Sequence, residues 1–194
     1  MKNKQEEKYT QILQAAMEVI SKKGVEKTSI SDIVKQAGVA QGTFYLYFSS
    51  KNALIPAIAD HLLTKLFDEI QYKSKSLTSF WEKIQLVIDV TFEMTEAYKE
   101  VLILCYAGLA FEHSFEKWES IYRPYYQWLE KEMNKAVACG EISQEVRIET
   151  TVRMVVSVIE QTAEGLYFSH ADEKDNRTAQ LKKDVFTFIN KALS

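Results

Sequence analysis

Gln41, Thr43, Tyr45, Tyr47 and Lys51 fall in one short stretch of the chain, TSISDIVKQAGVAQGTFYLYFSSKNAL over residues 28–54, and their chemistry suits a surface that meets nucleic acid. An amide such as Gln41 and a short hydroxyl such as Thr43 offer donors and acceptors to base edges. Phenols and an ammonium, as at Tyr45, Tyr47 and Lys51, suit phosphate oxygens. Gly42 adds no side chain, so the backbone there can approach a groove wall closely. Leu46 is an apolar residue in the same stretch, and its match would be a thymine methyl.

These side chains need a helix to hold them on one side, and the sequence predicts it. Ile30, Ile33, Val34 and Ala37 have helical spacing, with Ser29 as N-cap and Gly38 as the residue that takes left-handed dihedrals at the helix end. After Val39 re-enters the core, a second short helix starts at about Gln41 and buries Phe44 and Phe48, one turn apart. The side of that helix away from the two rings carries Gly42, Thr43 and Leu46, flanked by Gln41, Tyr45 and Tyr47. A first helix, predicted over residues 4–23 with Ile12, Leu13, Ala16, Val19 and Ile20 on one face and Gly24 as terminator, packs across this helix-turn-helix. A fourth helix beginning near Lys51 aligns Leu54, Ile58, Leu62 and Leu66, with Pro56 expected in its second turn, where it would delete one backbone hydrogen bond.

In layout the stretch resembles the TetR family of bacterial transcriptional repressors. The resemblance rests on Thr28, Ser29, Ile33, Ala37-Gly38-Val39, Gly42-Thr43, Tyr45, Tyr47-Phe48, Ser50-Lys51 and Leu54. Val34 stands where the family usually has a small alanine. Ala40 stands where it usually has a serine, which gives up a side-chain N-cap at a cost of ~1 kcal/mol. Carried over by position, the resemblance implies that Gln41, Gly42, Thr43 and Tyr45 approach bases or the groove wall. It also implies that Thr28, Ser29, Ser31, Tyr47 and Lys51 hold phosphates; Lys51 near a helix N-terminus suits an anion on independent grounds.

The remainder of the 194-residue chain reads as all-α. It has 46% hydrophobic residues, only 6 Gly and 2 Pro, and three-to-four apolar spacing almost throughout. About nine helices are expected: a DNA-binding head over residues 1–50 and an effector-binding and dimerisation body over 51–194, with the polar stretch 71–78 as a boundary. In the body, Ser79 and Glu82 resemble a capping box opening a helix toward Ala97. Further helices are expected over about 98–111, 116–139 (with Pro124 kinking or starting it), 145–169 and 176–193. A net charge of −3 is unusual for a DNA binder until it is divided. Residues 1–55 hold 8 Lys against 5 Asp and Glu, or +3, and the rest holds 16 basic against 22 acidic residues, or −6. A basic head on an acidic body is what binding through the head alone requires.

The start MKNKQEEKYT lacks an apolar leader core and no apolar run spans a bilayer, so a cytoplasmic protein with no membrane partner is expected. The 2 Cys and 3 His show no ligand spacing, so neither a metal nor a cofactor is expected.

An aromatic concentration between residues 80 and 128 suits either a helical core or a pocket for a flat or apolar small molecule. TetR-like bodies commonly bind an effector, and the resemblance makes Trp81, Phe92, Tyr98, Tyr106, Phe111, Trp118, Tyr122, Tyr126 and Glu160 the candidate lining; Glu112 and Glu160, if buried, would select a cation. The helix around residues 152–168 is apolar on more than one side and must be covered on more than one side. The resemblance supplies a homodimer seam, with Val152, Val155, Ile159, Phe186 and Ile189 as candidates. The function expected is a dimeric repressor of a palindromic DNA operator, released by a small-molecule effector. The alternatives are a helical ligand- or partner-binding protein without DNA recognition, and an enzyme. No Walker loop, H-E-x-x-H or nucleophile elbow supports an enzyme.

Overall fold

Periodicity becomes helix throughout the computed structural model, which describes residues 2–24, 26–109, 115–169 and 174–194. Among these are eight helices: α1 (Lys2–Lys23), α2 (Ile30–Ala37), α3 (Gln41–Tyr45), α4 (Leu54–Ser74), α5 (Phe80–Leu109), α6 (Phe115–Ala138), α7 (Ile148–Phe168) and α8 (Lys174–Leu193). The two helices expected on either side of residue 98 run end to end within α5, separated by a kink at Tyr98, whose backbone is not helical (φ −119°, ψ 20°). The chain divides into two compact units, Met1–Leu63 with Tyr98–Glu116, and Thr64–Ala97 with Lys117–Ser194. The distortion in α5 falls where the chain passes from one to the other.

In the first unit α1 packs on α2, and α2 on α3. The face of α1 that meets the core is closed, with Ile12, Ala16, Met17 and Ile20 all at 0% exposure. α2 begins in a full capping box: Ser29 Oγ accepts the Asp32 N–H at 3.1 Å while the Asp32 carboxylate accepts the Ser29 N–H at 3.1 Å. Asp32 also takes the Lys23 ammonium at 2.8 Å. These bonds, from Lys23 first and then Ser29, hold its carboxyl well below the ordinary range and tie the end of α1 to the start of α2. α2 ends on Gly38 (φ 64°), whose N–H meets the Lys35 carbonyl while the Val39 N–H reaches back to Val34. This is the Schellman arrangement, which satisfies carbonyls the helix end would leave open.

Nothing lies within 4 Å of a Cβ built on Gly38, so the cost of a side chain there is purely conformational. Gly38→Ala is expected to lower stability by ~1–2 kcal/mol, read as a lower midpoint in thermal unfolding followed by helical circular dichroism. An unchanged midpoint would contradict the assigned turn.

α4 starts at Leu54 and not at Lys51, because the preceding residues are closed by tighter turns: Leu54 N–H to the Lys51 carbonyl, Ile55 N–H to the Asn52 carbonyl, and Ala53 N–H to Ser50 Oγ. Pro56 therefore lies in the first turn of α4, where its missing N–H would have had no helical partner, and the expected lost hydrogen bond does not arise.

In the second unit α7 packs along α8. The seam residues expected to await a second subunit are for the most part covered by their own chain. Val152, Val155, Ile159 and Ile189 are buried, and Phe186 is half-buried with its ring 5.9 Å from that of Trp81. Periodicity marks a face that must be covered but not which chain covers it. The large apolar side chains that α7 and α8 leave exposed are Met154 and Phe188.

The start of α5 is held from a distance in sequence. Glu82 accepts the Ser79 N–H, as the expected capping box requires, while the Glu141 carboxylate accepts both Ser79 Oγ–H at 2.9 Å and the Phe80 N–H at 3.0 Å. α6 continues through Pro124 as one helix.

Candidate nucleic-acid interface and ligand site

α3 is positioned by two rings. Phe44 is 0% and Phe48 4% exposed, their centroids 5.6 Å apart, and Tyr9 of α1 stacks on Phe48 at 5.3 Å. Burying a phenyl ring contributes ~1.5–3 kcal/mol, so α3, although short, has a fixed orientation. Its opposite side faces outward: Gln41 and Gly42 are exposed, Thr43 is half-exposed, Tyr45 is 50% and Leu46 81% exposed. Ala40 precedes the helix with no side-chain cap, so the first N–H groups of α3 lack the serine bond usual at this position.

The expected phosphate contacts divide. Ser31 is exposed and Tyr47 half-buried beside Tyr9, at 6.0 Å between centroids. Ser29 is exposed but its hydroxyl is engaged with Asp32 on both sides. Thr28 does not fit the role assigned to its side chain: it is 3% exposed and its hydroxyl donates to the Gly24 carbonyl at 2.8 Å. Instead the Thr28 carbonyl accepts from Lys51 Nζ at 3.0 Å. Through this bond Lys51 braces the start of α2. Tyr9 was not among the expected residues; a tyrosine in a polar opening stretch gives no sign in sequence that it will pack on Phe48.

The residues expected to line an effector site fall into separate groups within each compact unit. Trp81 packs with Phe80 and Phe186. Phe92 is wholly buried, edge-on to Tyr167, with Lys182 over its ring. Tyr98 and Tyr106 belong to the first compact unit, and Phe111, with Glu112, lies outside the described residues. Within the second unit a row of rings forms on α6 facing α7. Trp118 and Tyr122 are 6.3 Å apart, Tyr122 and Tyr126 stack at 5.4 Å, and the Tyr122 hydroxyl donates to Glu160 Oε1 at 3.0 Å. Burial pushes the Glu160 carboxyl up to about 8, against the lowering by Tyr122, and Glu164 adds to the rise.

Arg153, two turns before Glu160 on α7, pairs with Glu119 through both guanidinium nitrogens and lies 4.7 Å over the Tyr126 ring. Sequence reading missed Arg153, although its seven-residue spacing from Glu160 was the available signal. A separate open groove of about 710 Å³ lies among Gln71, Tyr72, Lys83, Trp128, Glu132 and Lys135 and includes none of the expected effector residues. Among the described residues there is no group of His, Cys, Asp and Glu that could hold a metal, and no helix long and apolar enough to cross a membrane.

Comparison with known proteins decides the family. Residues 12–58 match the family of bacterial regulatory proteins of the tetR type, and residues 84–193 match the tetracyclin repressor-like C-terminal domain. The chain belongs to the TetR family of bacterial transcriptional regulators. Over 186 residues it is 53% identical to YvdT, an uncharacterised HTH-type transcriptional regulator of Bacillus subtilis (strain 168), covering 96% of this chain and 95% of that one. It is 29% identical over 158 residues to the fatty acid metabolism regulator protein of the same organism, 80% and 81% of the two chains. The crystal structure of FadR from Bacillus subtilis in complex with stearoyl-CoA has the same fold, with a TM-score of 0.78 at 24% identity over 96% of this chain and 100% of that one. As a TetR-family transcriptional regulator the chain binds DNA.

Proposed function

We propose that this regulator is a homodimeric repressor that reads a two-fold symmetric operator with α3 and is released when a small molecule occupies its body. The observation that carries the DNA-reading part is the outward face of α3: Gln41, Gly42, Thr43, Tyr45 and Leu46 open to solvent, above a pair of buried phenylalanines. Gln41 and Thr43 supply base-edge hydrogen bonds, Leu46 an apolar contact, and Ser31, Tyr47 and Lys51 the phosphate contacts that set register. Dimerisation is supported by Met154 and Phe188, 64% and 60% exposed on the paired helices α7 and α8. A symmetric dimer would place two α3 helices on half-sites about one duplex turn or a multiple apart. The relative with stearoyl-CoA bound supports a small-molecule effector in this fold, and coupling of ~1–3 kcal/mol between effector and operator would suffice for release. This is a binding function without a chemical step, exercised where the chromosome lies, in the cytoplasm.

The test is operator affinity as a function of salt, on a duplex chosen from a random library. Affinity should fall steeply, with a slope of about −0.9 per phosphate neutralised, and Lys51→Ala should reduce the slope by about one while weakening all sequences alike. A flat salt response would remove phosphate binding from the account and favour a helical ligand-binding protein.

A further inference from the structure

The open groove that lies wholly within the second unit holds more positive charge than its own acids balance. Its lining carries three lysines, Lys75, Lys83 and Lys135, against two acids, Asp68 and Glu132. The excess has a definite place. Glu132 is buried between two ammoniums, with Lys83 Nζ donating to one carboxylate oxygen at 2.5 Å and Lys135 Nζ to the other at 2.6 Å. Two positive charges therefore share one negative charge, while Asp68 and Lys75 offset each other in the sum. Flat apolar surface enters the same groove from two helices. Tyr72 of α4 is 75% exposed. Trp128 of α6 is held by Tyr125, stacked at 6.4 Å, and by Phe67, edge-on at 6.2 Å, so its indole is a fixed wall.

We infer that this groove binds a flat organic monoanion, a carboxylate on a bicyclic aromatic body, with the carboxylate taken by Lys135 and the rings laid against Trp128 and Tyr72. A volume of about 710 Å³ falls in the range of small-molecule sites. The Lys83 side chain is 15% exposed and that of Lys135 57%, so Lys135 is the ammonium that an incoming group can reach. An ammonium has three donors, of which Glu132 takes one. A carboxylate there completes an alternation of charge along Lys83, Glu132 and Lys135. A cation would meet Lys83 and Lys135 as like charges, and a dianion would exceed the single positive excess and be opposed by Glu132 and Asp68. A neutral ring would gain burial but leave the excess unmatched. This occupancy does not depend on release of the operator by an effector, and binding alone tests it.

Naphthoate, naphthalenemethanol and naphthylmethylammonium share a bicyclic body and differ in the charge of the head, so they separate head recognition from burial of the rings. Calorimetric titration of the full-length protein at neutral pH should show naphthoate bound about tenfold more tightly than either companion, the gain expected of one charge-assisted hydrogen bond. Added salt should narrow that preference, because Lys135 is reached by solvent. Lys135→Ala and Lys135→Gln, each checked for an unchanged helical circular dichroism, should abolish the preference while leaving the affinity for naphthalenemethanol as it was. Lys135→Arg should retain it. Lys131→Ala removes the same charge from an exposed position of α6 outside the groove and should change nothing. Tyr72→Ala should weaken all three compounds alike. Equal affinity for the three heads, tighter binding of the cation, or no saturable binding of naphthoate up to millimolar concentration would each overturn the assignment. So would a preference that survives both Lys135→Ala and Lys135→Gln, or one that Lys131→Ala removes equally.

Discussion

Phe44→Ala is expected to destabilise the DNA-binding head by ~3–5 kcal/mol, the range for emptying a buried phenyl site. The ring is 0% exposed and contacts Phe48, while its neighbour Tyr45 meets it edge-on at 5.5 Å. α3 is too short to be stable alone, so the loss falls on the orientation of the reading face as well as on the fold. Domains are commonly stable by only ~5–15 kcal/mol, so operator binding should disappear well below the temperature at which the unmodified protein loses it. Phe44→Leu keeps most of the volume and should cost under ~1.5 kcal/mol, with binding retained. Chemical denaturation followed by circular dichroism, paired with operator affinity, checks both. A Phe44→Ala protein with unchanged midpoint and affinity would mean that the ring does not seat α3.

Glu132→Ala is the second large effect, and it concerns the body. Glu132 is 7% exposed, and its carboxylate is held by Lys83 at 2.5 Å and Lys135 at 2.6 Å. The Lys83 side chain is only 15% exposed, so deleting the carboxylate strands a largely buried ammonium, at an expected ~3–5 kcal/mol. Lys135 is 57% exposed on its side chain, and Lys135→Ala should cost no more than ~1 kcal/mol. Burial alone would raise the Glu132 carboxyl, but the bonds from Lys135 and Lys83 outweigh it and leave the carboxyl below its ordinary value of 4.5. An acid whose value is lower folded than unfolded contributes fully above the unfolded value and loses that contribution as pH falls through the folded one. Urea unfolding should therefore show stability declining below about pH 4.5 in the unmodified protein, with a shallower decline in Glu132→Gln. Equal acid sensitivity in the two would contradict the assignment.

The parts of the fold that could be read from sequence are those set by local signals. Ser29, Gly38 and the spacing of Ile33, Val34, Phe44 and Phe48 each specify one step of the helix-turn-helix, and each step is present. Thr28 was misassigned because its hydroxyl turns inward to the carbonyl of Gly24, a local competitor that residue type does not reveal. The expected dimer seam shows a different limit of sequence reading. Apolar periodicity on α7 and α8 identified Val152, Val155, Ile159 and Ile189 as covered, but the cover is intramolecular, and the exposed residues Met154 and Phe188 broke the pattern that was being followed. The aromatic segment divided into packed core at Phe92 and Trp81 and a row at Trp118, Tyr122 and Tyr126, a distinction that depends on which side of each helix meets another. The Glu132 pair was illegible because Lys83 lies on a different helix, far off in sequence.

The central claim is that the outward face of α3 reads base sequence. Selection from random duplex DNA, carried out with the unmodified protein and with Gln41→Ala and Thr43→Ala, tests it most directly. The expected result is a two-fold symmetric site in which each substitution relaxes the preference at one position per half-site, by ~1–3 kcal/mol, and leaves the other positions as they were. The same selected site from all three proteins, with at most a uniform loss of affinity, would contradict it.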